Sequence, residues 1–243
     1  MTPAPTSGPG ACGGPDRLLL FARLPEPGRA KTRLAPRLGE DGAAELYRAF
    51  LDDVCATARA LEGMEREMWV PRRPGAADYF RARHPDFRLR WQEGADLGDR
   101  LLGAFGTAFE EGAGRALAVG SDHPTLPAGH LRAAFSGGPE PEVRLGPTPD
   151  GGYWGIGLTR AAWPRAAGLF RGLPWSTPRL LAATRRRAAA LDLPVRELPS
   201  WYDVDDPAGL DRLGDDALPG SASARALARL EGGGESARSG EDP

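Results

Sequence analysis

The chain has 243 residues, of which 41% are hydrophobic and 26% are charged, and its net charge is −2. This is the composition of one globular domain, and the charge gives no general argument for nucleic acid or an anionic membrane as a partner. There is no membrane-length apolar run, no signal sequence and no cysteine pattern of a disulfide or thiol metal site, so we expect a cytoplasmic protein.

The two ends of the chain differ from its middle in composition. Residues 1–15 are mostly Pro, Gly, Ser, Thr and Ala, and residues 217–243 are similar, with three consecutive glycines at 232–234. Such segments bury little apolar surface, so we predict a disordered leader and a disordered tail. A weak helix could form over residues 222–230, but the sequence shows no partner face for it. The folded domain, predicted to bind a nucleotide and carry the catalysis, is expected to span residues 16–216.

Within this domain, short apolar runs alternate with longer amphipathic runs. The predicted strands are residues 18–22, 68–70, 87–91, 116–119, 143–145, 153–158 and 195–198. The predicted helices are residues 41–61, 97–111, a segment after Pro127, 177–191 and 207–213. This alternation predicts an α/β fold with a mostly parallel sheet covered by helices on both faces. Ligands bind such sheets outside the carboxyl ends of the strands.

A basic loop, Gly28-Arg-Ala-Lys-Thr-Arg33, follows the first predicted strand. Lys31 is the only lysine among 31 basic residues, and the chain has no Asn, one Ile and one Gln, which together indicate a bias toward GC-rich codons. Under that bias a lysine that arginine could replace would have become arginine, so we expect a specific task for its compact ammonium. Gly28, Arg29, Lys31 and Arg33 are predicted to wrap a di- or triphosphate. The alternative is a solvated basic turn, because the loop matches no P-loop or dinucleotide-binding motif.

Two acidic turns are further candidates for ligand contact. Asp96 stands at the start of a predicted helix, where it can be a helix cap or a contact to the nucleotide. Asp150 precedes Gly151 and Gly152, in a turn where backbone can approach a ligand closely. An ordinary hairpin turn explains this second segment equally well.

The buried strand 116–119 ends at Gly120-Ser-Asp-His-Pro124. A carboxylate in this position suits an oxygen-preferring cation such as Mg²⁺ or Mn²⁺, so Asp122 is predicted to be a metal ligand. A helix N-cap is the alternative for Asp122. His123 is expected to be structural rather than a ligand, and the three histidines of the chain show no zinc-ligand spacing.

More carboxylates lie in the segment Trp201-Tyr-Asp-Val-Asp-Asp-Pro207. Asp203 and Asp205 alternate along an extended chain, so both side chains can point to one side. Asp206 is expected to cap the last helix. We predict that Asp203 and Asp205 meet Asp122 across the sheet and complete a divalent-metal site that holds phosphate oxygens.

Taken in order, these motifs resemble the bacterial family of small GT-A-fold nucleotide-diphospho-sugar transferase-like proteins of the DUF2064 group. The resemblance covers about residues 17–213 and rests on Pro27–Pro36, Asp96–Arg100, Gly120–Pro124, Asp150–Trp154, Trp175–Thr177 and Asp203–Pro207. The same order of motifs is similar to that of guanylyltransferases that activate phospholactate-type acids. His123 stands where the family commonly has cysteine, which keeps the metal carboxylate but changes the pocket wall.

The resemblance implies a GT-A (Rossmann-like) three-layer α/β/α fold with a nucleotide over the first loop and Mg²⁺ or Mn²⁺ at the aspartates. By this similarity Lys31 and Arg33 would contact phosphates, Asp122 and Asp205 would bind the metal, and Asp150 would contact the donor or acceptor. We accordingly predict Lys31, Asp122 and Asp150 as catalytic residues.

Three functions agree with these residues. The first is a metal-dependent glycosyltransferase that uses a nucleotide-diphospho-sugar donor. The second is a guanylyl- or cytidylyl-type nucleotidyltransferase, which couples a nucleoside triphosphate to a small phosphorylated acceptor and releases pyrophosphate. The third, a non-catalytic nucleotide sensor, is disfavoured by the several carboxylates. The expected partners are small molecules, not nucleic acid or a membrane, and a homo-oligomer is compatible with the sequence.

Overall fold

The computed structural model describes residues 13–238, with side chains described to residue 232. Seven strands form its sheet, and they are β1 (Asp16–Phe21), β2 (Met64–Pro71), β3 (Arg88–Gln92), β4 (Arg115–Gly120), β5 (Val143–Pro147), β6 (Tyr153–Thr159) and β7 (Val195–Glu197). Their order is β3-β2-β1-β4-β6-β5-β7. Strand β6 runs antiparallel to both of its neighbours, whereas the other pairings are parallel, so the prediction of a mostly parallel sheet is confirmed.

Helices cover both faces of the sheet. They are α1 (Ala35–Arg59), α2 (Ala76–Arg83), α3 (Leu97–Glu110), α4 (Ala128–Ala134), α5 (Trp163–Ala166), α6 (Leu180–Ala190), α7 (Pro207–Asp216) and α8 (Ala222–Arg238). Alternate residues of β1 face two separate cores: Leu18 and Leu20 pack with Phe50 of α1, and Leu19 packs with Phe105 of α3. The three-layer α/β/α arrangement is therefore as predicted. Of the described helices, none combines the length and the apolar character needed to cross a bilayer.

Two differences from the sequence prediction lie in the helices. Helix α1 begins at Ala35 rather than at residue 41, and Gly39, with a φ of 72°, separates its first turn from the rest. Helix α2 was not predicted, because it has only eight residues and buries just Ala76 and Phe80, which gives no periodic apolar pattern.

The predicted disordered tail also differs from the structure, because α8 forms within it and packs against α1. Ala226 and Leu227 are buried in the core that α1 shares with β1. The carboxylate of Asp53 accepts the N–H groups of Ala222 and Ser223, at 2.8 and 2.7 Å, and so caps the start of α8. The partner face lies about 170 positions earlier in the chain, so no local pattern reveals it. Residues 1–12 of the predicted leader and residues 239–243 of the tail lie outside the described residues.

Candidate functional site

Lys31 lies between the carboxylates of Asp122 and Asp205. Its Nζ is 2.5 Å from Oδ1 of each aspartate, and Lys31 and Asp205 are 174 positions apart in the chain. The three residues come from the loop after β1, the loop after β4 and the segment before α7, which meet at the carboxyl edge of the sheet. The lysine side chain is 4% exposed, against 37% for Asp122 and 43% for Asp205. The ammonium of Lys31 is thus buried, whereas the two carboxylates are partly exposed to solvent.

The surroundings of Lys31 hold its ammonium in the charged form. Burial lowers the pKa of Lys31, but the charges and hydrogen bonds of Asp122 and Asp205 together raise it above the ordinary value for lysine. The rings of Tyr47 and Phe50 lie 5.8 and 5.4 Å from Nζ, in the range of cation–π contacts. The backbone of Lys31 has a φ of 49°, a left-handed conformation that costs a non-glycine residue about 1–2 kcal/mol. The cluster is therefore held in a strained arrangement.

Two hydrogen bonds fix Asp122 relative to the segment before α7. The Val204 N–H donates to the Asp122 carbonyl oxygen at 2.9 Å, and Nδ1 of His123 lies 2.9 Å from the Tyr202 carbonyl oxygen. His123 is buried, and burial lowers the pKa of its imidazole. The histidine therefore links two loops, as expected of a structural residue. For Asp122, burial raises the pKa and the charge of Lys31 lowers it, and the net result is below the ordinary value.

Asp203 does not join this cluster. Tyr202 and Val204 are buried, so Asp203 and Asp205 do lie on the opposite side of the extended segment, as predicted. However, residues two apart on such a segment are separated by about 6.6 Å, and only Asp205 reaches Lys31. Burial, with the neighbouring charges of Asp205 and Asp150, raises the pKa of Asp203 to about 6.

The predicted three-aspartate metal site is therefore not formed. Among the side chains of residues 13–232, no group of three or more from His, Cys, Asp or Glu is placed to hold a metal ion. Asp122 and Asp205 supply the carboxylate oxygens that Mg²⁺ or Mn²⁺ prefers, but the point on which they converge is taken by the Lys31 ammonium. A divalent cation bound to these two Oδ1 atoms would take the place of the Lys31 ammonium.

A cleft of about 740 Å³ opens beside the cluster, and a smaller pocket of about 160 Å³ adjoins Lys31 itself. Five arginines line these two spaces: Arg23, Arg29, Arg33, Arg73 and Arg100. Within the described part of the chain, none of the five forms an ion pair with a carboxylate. Unpaired cations around a concave surface attract anions, so the cleft is suited to a polyanionic ligand.

The predicted phosphate loop does border this cleft. Gly28 and Arg29 line the cleft, and Arg33 lines the smaller pocket. Asp96 lines the cleft as well, and its carboxylate accepts the Asp99 N–H at 2.9 Å as the N-cap of α3. The same residue is therefore both a helix cap and part of the cleft wall. The prediction omitted three of the arginines. Two of them, Arg23 and Arg73, follow the ends of β1 and β2, so the rule on strand ends could have found them.

The sequence model of the family described as "Uncharacterized protein conserved in bacteria (DUF2064)" matches residues 54–177, just over half of the chain. The chain belongs to this family. The matched range includes Asp122 and most of the cleft, whereas Lys31 and Asp205 lie outside it. No curated protein matches the DUF2064 chain.

Solved structures share the fold of this DUF2064 protein. A crystal structure named a "putative nucleotide-diphospho-sugar transferase" from Desulfovibrio desulfuricans G20 is 28% identical, with a TM-score of 0.83 over 90% of this chain and 96% of that chain. CMP:2-keto-3-deoxy-manno-octonic acid synthetase complexed with CTP is 13% identical, with a TM-score of 0.53 over 82% and 97%. Rv0371c of Mycobacterium tuberculosis H37Rv complexed with manganese is 20% identical, with a TM-score of 0.50 over 83% and 98%. The similarity to the 28% identical structure and the observed strand order together confirm the predicted GT-A-like fold. The similarity to the other two structures concerns the fold only.

Asp150 of the DUF2064 protein is not among the residues that line the cleft, although it lies close enough to Asp203 to raise the pKa of that carboxyl. Oδ1 of Asp150 accepts a hydrogen bond from the Thr148 hydroxyl at 2.5 Å and from the Gly152 N–H at 3.0 Å, which closes the turn on itself. Gly151 has a φ of 87°, and a Cβ there would overlap the carbonyl oxygen of Pro178. The two glycines were predicted to let backbone approach a nucleotide; in the structure Gly151 lets the turn approach the start of α6.

Gly151→Ala is therefore expected to destabilise the fold by about 2–4 kcal/mol, because it adds a steric overlap to the cost of a left-handed alanine. Gly172→Ala is the matched control: Gly172 also has a positive φ, 63°, but has open space around it. We expect a loss of about 1 kcal/mol there. Urea denaturation of both variants measures the difference, and equal losses would show that the contact with Pro178 does not require the glycine.

Proposed function

We propose that this protein is a transferase that acts on a nucleotide, with its phosphates in the cleft at the carboxyl edge of the sheet. The observation that carries this proposal is the meeting of Lys31, Asp122 and Asp205 beside a cleft with five arginines that form no ion pair within the described part of the chain. The 28% identical structure is named as a nucleotide-diphospho-sugar transferase, which supports the same class.

Of the two reactions considered, we propose nucleotidyl transfer as the better supported. Attack of an acceptor phosphate on the α-phosphate of a nucleoside triphosphate needs positioning and neutralisation of charge more than a side-chain nucleophile. The cations of the cleft supply that neutralisation. Glycosyl transfer from a nucleotide-diphospho-sugar remains the second candidate, and the name of the 28% identical structure favours it.

The proposed mechanism assigns a separate task to each group of residues. Arg29, Arg33 and Lys31 bind the phosphates, hold them in line with the acceptor and stabilise the charge that develops on the leaving pyrophosphate. Asp122 and Asp205 would hold Mg²⁺ or Mn²⁺, which when bound supplies further neutralisation of the phosphate oxygens. The acceptor phosphate oxygen forms the new bond to the α-phosphorus as the bond to pyrophosphate breaks.

Gln92 marks a second part of the cleft, away from Lys31, that suits the base of the nucleotide. Its Nε2 donates to the Trp69 carbonyl oxygen at 2.8 Å and to the Ala22 carbonyl oxygen at 3.3 Å, which fixes the orientation of the amide. A flipped amide would place oxygen against two carbonyl oxygens, so Oε1 is the atom left to accept an N–H from a ligand.

A thermal-shift screen followed by a product assay tests the proposal. We expect ATP, GTP, CTP or UTP with Mn²⁺ to raise the melting temperature by several degrees at about 100 times its dissociation constant, which corresponds to about 2.7 kcal/mol. Pyrophosphate release with a panel of small phosphorylated acceptors should follow. Stabilisation by UDP-, GDP- or ADP-sugars alone, with release of nucleoside diphosphate, would establish glycosyl transfer instead. No shift with any of these ligands would refute the nucleotide site.

A further inference from the structure

The ammonium of Lys31 has the geometry of a bound cation. Its Nζ bridges Oδ1 of Asp122 and Oδ1 of Asp205, and carboxylate oxygens are the ligands that Mg²⁺ and Mn²⁺ prefer. An ion bound to the same oxygens of Asp122 and Asp205 would occupy the volume of Nζ. Two positive charges cannot share that volume, so the ammonium and the ion exclude each other.

We infer that Lys31 and a divalent cation compete for Asp122 and Asp205, so that the cation binds tightly only when nucleotide phosphates have drawn Lys31 away. The inference rests on the proposed function for the role of the nucleotide. The competition itself depends only on the positions of these three side chains.

Several features favour movement of Lys31 toward a phosphate. The pocket of about 160 Å³ next to Lys31 gives its ammonium room, and Arg29 and Arg33 line the same pocket and would attract phosphate into it. The left-handed φ of 49° is a strain that a move of the loop can release. Phosphate oxygens can then replace the carboxylates as partners of Lys31, and the carboxylates become free for the divalent ion.

The two ligands are consequently coupled. Without nucleotide, Lys31 occupies the point between the two carboxylates, offsets part of their charge and keeps the site closed to metal ions in solution. With nucleotide, the metal binds more tightly, and by thermodynamic linkage the metal strengthens nucleotide binding by the same factor. The protein would therefore bind the metal and the nucleotide together rather than be loaded with metal beforehand.

Mn²⁺ binding without nucleotide tests the competition, with the electron paramagnetic resonance signal of free Mn²⁺ as the readout. We expect Lys31→Met to bind Mn²⁺ at least ten-fold more tightly than the wild type. Asp122→Asn in the Lys31→Met background should abolish the gain, which places it at this site. Arg33→Met is the matched control, because it removes a cation of the same loop that pairs with neither carboxylate, and we expect a change below three-fold.

Mn²⁺ affinity in Lys31→Met that equals or falls below the wild-type value would overturn the inference, as would a gain that survives Asp122→Asn. Circular dichroism checks the fold, and Lys31→Gln, which is neutral but polar, replaces Lys31→Met if that variant does not fold. If neither folds, the decisive measurement is on the wild type with GTP or CTP whose binding calorimetry has established: Mn²⁺ affinity should rise at least ten-fold above both that of the free protein and that of the free nucleotide, and an unchanged affinity with nucleotide bound refutes the competition. Failure of the proposed function is distinguishable, since it would abolish nucleotide binding without changing the gain in Lys31→Met.

Discussion

Lys31→Ala is expected to lower the affinity for the nucleotide by about 100-fold or more. A charge-assisted hydrogen bond between an ammonium and a phosphate contributes about 1.5–3 kcal/mol, which corresponds to a factor of about 10–150. In titrations without added divalent cation, the substitution also leaves Asp122 and Asp205 without their shared counter-charge, facing the incoming phosphates. The electrostatic repulsion adds to the loss of the contact, and the effect is therefore placed at the upper end of the range.

Arg185→Ala is the control for this measurement. Arg185 belongs to the run of three arginines at 185–187 on α6, and it pairs with Glu197 on the surface, with both side chains about half exposed. Its removal is expected to change nucleotide affinity by less than about two-fold, because surface ion pairs contribute little. Isothermal titration calorimetry with GTP and CTP measures both variants. Small and equal effects would show that the basic loop is not the phosphate site.

Asp122→Asn is expected to remove the dependence of nucleotide affinity on Mn²⁺ or Mg²⁺. The amide is close in size to the carboxylate but carries no charge, so it is a far weaker ligand for a divalent cation. For the wild type we predict a ten-fold or larger gain in nucleotide affinity with Mn²⁺, and for Asp122→Asn and Asp205→Asn we expect this gain to fall below about two-fold. Calorimetric titrations with and without Mn²⁺ measure this gain.

The matched control for the metal is Asp206→Asn. Asp206 is adjacent to Asp205 in the chain, but its carboxylate accepts the Gly209 N–H at 2.8 Å as the N-cap of α7. Asparagine caps helices as well as aspartate does, so this variant keeps the fold while it removes one negative charge. A metal dependence that persists in both Asp122→Asn and Asp205→Asn would remove the metal from the mechanism.

The central place of Lys31 explains why this position keeps a lysine in a chain otherwise rich in arginine. An ammonium offers three donors from a single point, so one nitrogen can meet two carboxylates that arrive from different loops. A planar guanidinium favours side-by-side pairing with one carboxylate, and it is larger than an ammonium. The side chain of Lys31 is 4% exposed and lies beside two aromatic rings, so the site has little room for the larger group.

The sequence by itself determined the order of the main strands and helices and three members of the cluster. Buried strands show as short apolar runs, and helices such as α3 show as apolar residues three and four positions apart. Lys31, Asp122 and Asp205 could be identified because each stands after a predicted strand or before a predicted helix. Residue type and position along the chain can both be read directly from the sequence. Their participation in a reaction stays a prediction.

Only the tertiary structure decided how these side chains are arranged. It places the ammonium of Lys31 at the predicted metal position, leaves Asp203 out of the cluster and turns Asp150 onto its own loop. It also joins α8 to α1 across most of the chain length. The physical reason is that side-chain directions in loops, and contacts between residues about 170 positions apart, depend on how the layers pack. Local periodicity carries no record of that packing.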